Sequence, residues 1–173
     1  TEIYTALNTL SLHDALRSNE GSIGTSAFEG AMTSANCTLN VTNKGDIYNL
    51  AFSGCTGITN ATISNEGNIG TSAFEGAMTS ANGTLNVTNK GDIYNRAFYG
   101  CTGITNATIS NEGNIGANAF YGCTGITNAT ISNEGSIGTS AFEGAMTSAN
   151  CTLNVTNKGD IYNLAFSGCT GIT

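Results

Sequence analysis

The chain has 173 residues, 12 of them acidic and 5 basic, for a net charge of −7. That balance excludes an electrostatic nucleic-acid binder, which needs a basic patch, and the length fits one domain. Charged residues make up only 10%, glycine reaches 23, and proline and tryptophan are absent. This is not the composition of a charged disordered tail, and no apolar run approaches the roughly 18–20 residues of a membrane helix.

In chain order, residues 1–17, TEIYTALNTLSLHDALR, share nothing with the rest of the chain. Read back into codons, residues 1–5 fit ACC GAG ATC TAC AC, and residues 9–16 fit ACT CTT TCC CTA CAC GAC GCT CTT. These strings resemble the two constant parts of a common short-read sequencing adapter. A variable index would cover Ala6, Leu7 and the first base of Asn8, and loss of one C from the adapter's continuation yields Arg17-Ser18. The resemblance implies a segment translated from adapter DNA, joined to a gene fragment cut at both ends, so a missing signal or anchor carries no weight. The competing reading is an N-terminal helical cap with Ile3, Leu7, Leu10 and Leu16 on one face. His13, the single histidine, falls in this segment.

From residue 18 onward the chain is a repeat. Ala-Phe occurs at 27–28, 51–52, 73–74, 97–98, 119–120, 141–142 and 165–166, in steps of 24, 22, 24, 22, 22 and 24 residues, and accounts for all seven phenylalanines. Residues 18–59 and 132–173 are identical over 42 positions, and 64–105 differs from them only at Asn68, Gly83, Arg96 and Tyr99. There are two unit types. The long one carries two extra residues before its strand. Such periods predict a solenoid. Ile58, Ala61 and Ile63 are spaced as in L-x-x-L-x-L, and Leu39 and Val41 take the last two places in the long unit. Alternation puts Ala61 and Ile63 inside and Asn60, Thr62 and Ser64 outside. After a turn at NEG or NKG come an isoleucine, Ala-Phe, and Gly-Cys or Gly-Ala. Stacking would make each position a ladder. The expected fold is a repeat solenoid of seven 22/24-residue coils with a parallel β-sheet along one face.

These motifs resemble the BspA-type leucine-rich repeat. ITNATISNEGNIGTSAFEGAMT and ITNATISNEGNIGANAFYGCTGI carry its strand, its I-G, its A-F and its C. The chain departs from the pattern where the strand-ending proline is Ser64, Ser110 or Ser132. It departs again where a valine is Gly67, Gly113 or Gly135, with one residue fewer in between. Those changes bear on how the second strand packs. The resemblance implies a non-catalytic surface or secreted module that binds a host or neighbouring-cell protein, matrix or glycan. The alternatives are a structural spacer in a larger surface protein and an ice- or crystal-binding solenoid. Uneven Asn/Thr alternation and varying unit lengths speak against the last.

The candidate binding face is the outward strand surface: Asn40, Asn60, Thr62, Thr84, Asn86, Asn106, Thr108, Asn128, Thr130, Thr152 and Asn154. It yields nine N-x-[ST] sequons, which simple strand alternation also produces. Cys55, Cys101, Cys123 and Cys169 share their position with Ala31, Ala77 and Ala145, which reads as a small buried slot. Disulfides are the weaker reading for these and for Cys37 and Cys151, and metal spacing is absent. Glu20, Lys44, Glu66, Lys90, Glu112, Glu134 and Lys158 form a turn column of alternating sign, broken at Glu112 beside Glu134. It reads as a solvated edge that discourages wrong pairing. Tyr48, Tyr94, Tyr99, Tyr121 and Tyr162 recur with the repeat, so packing is expected of them. The repeats hold no histidine and no acid–base pair, so neither an enzyme nor a cofactor is expected. Both solenoid ends would expose unpaired edges, and self-association through them is expected.

Overall fold

The computed structural model describes residues 19–172. Both readings of residues 1–17 lie outside the described residues. Six strands succeed one another: β1 (Cys37–Asn43), β2 (Ile58–Asn65), β3 (Gly83–Asn89), β4 (Ile104–Asn111), β5 (Asn128–Asn133) and β6 (Thr152–Asn157). They form one six-stranded sheet in chain order, every neighbouring pair parallel. Each connection leaves the sheet, turns twice and returns one strand further on. No helix occurs among the described residues. The solenoid is therefore as the repeat dictates, with each coil stacked only on its neighbours.

Inside the sheet the expected alternation holds, and β2 reads buried–exposed through Ala61, Thr62, Ile63 and Ser64. Two apolar ladders result. Leu39, Ala61, Leu85, Ala107, Ala129 and Leu153 form one, and Val41, Ile63, Val87, Ile109, Ile131 and Val155 the other. Long-unit strands supply Leu with Val, and short-unit strands Ala with Ile. A large residue in one ladder is thus offset by a smaller one in the next, which keeps the cross-section filled.

A second ladder line crosses the solenoid at Ile23, Ile47, Ile69, Ile93, Ile115, Ile137 and Ile161, joined by single parallel bridges. Beyond it all seven phenylalanine rings stack, with centroids 4.8–5.1 Å apart and planes within 2–13° of parallel. The coil spacing imposes that face-to-face geometry. Rings this large dominate core burial, about 150–250 Å² each.

The departure at Gly67, Gly113 and Gly135 has a physical reason. A Cβ there would sit 2.4–2.5 Å from a carbonyl oxygen of the preceding coil, that of Gly45, Gly91 or Gly113. The turn stacks backbone on backbone, and no valine fits. The two extra residues of each long unit leave the sheet register untouched from Thr38, Thr84 and Thr152 onward. They are taken up in the TSAN loops at 33–36, 79–82 and 147–150, which are almost wholly exposed.

One buried ladder is polar. Asn43, Asn65, Asn89, Asn111 and Asn133 end their strands facing inward. Each side-chain amide donates to the carbonyl of the glycine two residues on, at 2.6–2.8 Å. Its second hydrogen goes to the Oδ1 of the next asparagine, at 2.7–2.9 Å. No described buried side-chain polar atom lacks a partner, as low-dielectric interiors require.

Candidate binding face

The strand register lines the outward residues into continuous rows. Thr38, Asn60, Thr84, Asn106, Asn128 and Thr152 make the first; Asn40, Thr62, Asn86, Thr108, Thr130 and Asn154 make the second. All eleven candidate residues lie in these two rows, on one face, in chain order. Asn40 and Thr84 are half-buried, and the other nine are exposed. Strand geometry sets about 4.8 Å between neighbours in a row and about 6.6 Å between rows. Few of these groups spend their hydrogen bonds on one another. Asn128 donates to Asn106 Oδ1 at 3.0 Å, and Asn60, Asn106 and Asn128 each reach the hydroxyl of the preceding threonine at 3.2–3.4 Å.

Two features of this surface escaped the sequence reading of the site. A third outward row, Thr42, Ser64, Thr88, Ser110, Ser132 and Thr156, runs beside the other two. The TSAN loops of the long coils project just before the strands. The two-residue length difference between units was the available signal for the loops. Strand alternation, already used for Ser64, was the signal for the third row.

No charged side chain stands on the three rows. Charges gather at the turn column, where Lys44 meets Glu20 at 2.6 Å, Lys90 meets Glu66 at 3.4 Å, and Lys158 meets Glu134. Each lysine pairs with the glutamate of the preceding coil, and the bond to Glu20 holds the Lys44 ammonium above its ordinary pKa. All are exposed pairs, worth little individually. Asp46 and Asp92 accept the backbone N–H groups of Asn68 and Asn114, at 2.7 and 2.6 Å. These carboxylates are therefore coil-stacking groups.

The tyrosines divide. Tyr48, Tyr94 and Tyr162 are 43–53% exposed, contrary to the packing expected of them. Their column alternates with Gly24, Gly70, Gly116 and Gly138, so they have no aromatic neighbour. Tyr99 and Tyr121 sit on adjacent coils and stack at 5.2 Å. Arg96 lies 4.2 Å over the Tyr99 ring and pairs with Glu75 at 2.6 Å.

The six cysteines are free thiols. Cys55, Cys101, Cys123 and Cys151 are buried, and Cys37 and Cys169 are half-buried. Cys55, Cys101, Cys123 and Cys169 each donate to a phenylalanine carbonyl of a preceding coil, at 3.1–3.2 Å. Burial pushes the Cys101 thiol well up, with neighbouring Cys123 adding to the shift, and burial raises Cys55 and Cys169 too. Such thiols are poor nucleophiles. Among the described residues no cluster of three or more His, Cys, Asp or Glu could hold a metal ion.

A family model, the BspA type leucine rich repeat region, matches six copies over residues 4–90 and 45–173. The chain belongs to the BspA-type leucine-rich repeat family. No curated protein and no solved structure matches it. As a BspA-type repeat it is the kind of solenoid that serves as a binding scaffold, and the family suggests protein binding or adhesion. In this BspA-type chain the rows of hydroxyls and carboxamides offer donors and acceptors at fixed spacing. Among the described residues no helix is long and apolar enough to cross a membrane.

Proposed function

We propose that the chain is a non-catalytic surface or secreted adhesion module that docks a protein, matrix or glycan partner on its Thr/Asn face. The observation that carries this reading is the charge-free surface of polar rows, held in register across six strands. Hydroxyls and amides on a rigid sheet can form many parallel hydrogen bonds to a partner with little ordering cost, since each strand is already fixed. Affinity then comes from the number of rows engaged, and identical coils add contacts of one kind. A spacer reading draws on the same rigidity but leaves the exposed amides without a purpose. The uneven order of Asn and Thr along each row suits a hydrogen-bonded partner better than a crystal lattice.

The test is a binding screen of the full chain against immobilised matrix proteins and glycans, followed by Asn106→Lys/Thr108→Lys at the centre of the face. For any partner found, the double variant is expected to weaken binding at least tenfold with unfolding unchanged. A Lys90→Ala/Glu112→Ala control on the turn column should leave it intact. Binding that survives the face variant and fails in the control would move the site to the turn column.

A further inference from the structure

One patch in the middle of the array departs from the repeat. Residues 64–105 differ from 18–59 at four positions, and two of these lie side by side: Arg96 and Tyr99 stand where the earlier copy has Leu50 and Ser53. In the next coil Tyr121 follows Ala-Phe, where the other short units carry Glu29, Glu75 and Glu143. The backbone brings these exceptions into one column. Gly54, Gly76, Gly100 and Gly122 donate to the carbonyls of Glu75, Tyr99, Tyr121 and Glu143 in the coil ahead, all at 2.8–2.9 Å. Glu75, Tyr99, Tyr121 and Glu143 therefore succeed one another at the coil spacing, about 4.8 Å.

The two flanks of this ring pair are filled differently. The rings stack face to face at 5.2 Å, 4° from parallel. A guanidinium between two rings needs about 7 Å, so Arg96, 4.2 Å from the Tyr99 centroid, lies on the face of Tyr99 turned away from Tyr121. There it also meets the Glu75 carboxylate at 2.6 Å. That flank reads carboxylate, guanidinium, ring. The opposite flank has a ring and a carboxylate in the same column, Tyr121 and Glu143, and no cation. Among the described residues no ring or cation covers the far face of Tyr121, and no basic group pairs with Glu143. Glutamate is shorter than tyrosine, so the outer part of the Tyr121 ring projects past Glu143, as Tyr99 projects past Glu75 to receive Arg96.

We propose that this second flank binds an arginine side chain of a protein partner, its guanidinium stacked on Tyr121 and paired with Glu143. Arg96 is the template within the molecule for both contacts. A planar guanidinium suits the slot because it stacks on an aromatic face and offers its in-plane N–H groups to a carboxylate at the same time. A neutral sugar ring can stack on Tyr121 but leaves the Glu143 charge unanswered. The net charge of −7 also draws a basic partner toward the chain. The site lies outside the Thr/Asn face, and neither reading depends on the other.

The probe is N-acetyl-arginine amide, titrated into the full chain and followed by NMR at the Tyr121 ring and the Gly144 amide. Saturable shifts at both are expected, with nuclear Overhauser contacts from the probe's δ-methylene to the Tyr121 ring. Tyr121→Ser keeps the fold, because Ser53 and Ser167 hold that position in other coils, and Glu143→Gln preserves shape. Each should weaken binding at the Gly144 amide at least threefold. Glu112→Gln removes the same charge from the turn column and should change nothing. Arg96→Ser uses the residue type found at Ser72 and Ser140 and empties the filled flank, so the probe should then contact Tyr99 as well as Tyr121. Absence of contacts to Tyr121, equal weakening by Glu112→Gln, or contacts confined to Tyr121 in Arg96→Ser would each overturn the proposal. Methyl glucoside contacting Tyr121 as strongly as the arginine probe would overturn it in favour of a sugar-stacking platform.

Discussion

Asn89→Ala removes the centre of the buried asparagine ladder. Asn89 is 1% exposed. It donates to Gly91 O at 2.6 Å and to Asn111 Oδ1 at 2.9 Å, and it accepts from Asn65 at 2.8 Å. Three buried hydrogen bonds go at once, at about 1 kcal/mol net each, and the deserted groups of Gly91, Asn111 and Asn65 have no route to water. The expected loss is about 3 kcal/mol or more. Asn157→Ala, at the half-buried last rung, removes the bonds to Gly159 and from Asn133 where solvent can replace them, so about 1 kcal/mol is expected there. Urea unfolding reads both, through the midpoint at unchanged m. A loss under about 1 kcal/mol for Asn89→Ala, or one equal to that of Asn157→Ala, would refute the ladder as a stabilising element.

Three more expectations can be checked with the same chain. Phe98→Ala, in the middle of the ring stack, should cost about 3–5 kcal/mol, and thermal unfolding that hardly moves would contradict the stack's importance. Cys55 and Cys101 have thiols raised above 9.0 by burial. The unfolded chain then loses those protons first as pH rises, so stability is constant below the unfolded thiol's pKa and falls from about pH 9 upward. A Cys55→Ala/Cys101→Ala variant should lose part of that alkaline fall, as denaturant midpoints on either side of that pH would reveal. Deleting residues 106–127, one whole 22-residue short unit, keeps every ladder in register and removes the adjacent Glu112. The product should fold with the same circular dichroism per residue, and an unfolded product would sink the modular account.

Much of this fold can be read from sequence because the repeat turns every pattern into a sevenfold observation. Alternation at Ala61–Ile63, the Ile and Ala-Phe columns and the parallel sheet all follow from period alone. The asparagine ladder was legible in principle, since alternation continued past Ile63 puts Asn65 inside. It was masked by the turn chemistry of NEG and NKG, which draws the eye to the loop. Tyr48, Tyr94 and Tyr162 were misread because recurrence along the chain is not adjacency in space. Their neighbours on the stack are glycines. The need for Gly67, Gly113 and Gly135 could not be seen at all without the distance between coils. Alternation also puts the eleven face residues in outward rows on one side of the sheet, but what such rows would bind is written in no single residue type.

The pairing of each lysine with the glutamate of the coil before it has an evolutionary consequence. A short coil followed by a long one is a self-contained cassette of 46 residues, carrying one ion pair and one complementary Ala/Ile–Leu/Val layer. Unequal recombination between near-identical cassettes adds or drops whole layers without leaving a cavity or a stranded cation. Length can therefore change by whole cassettes while the stacking contacts within each layer stay the same.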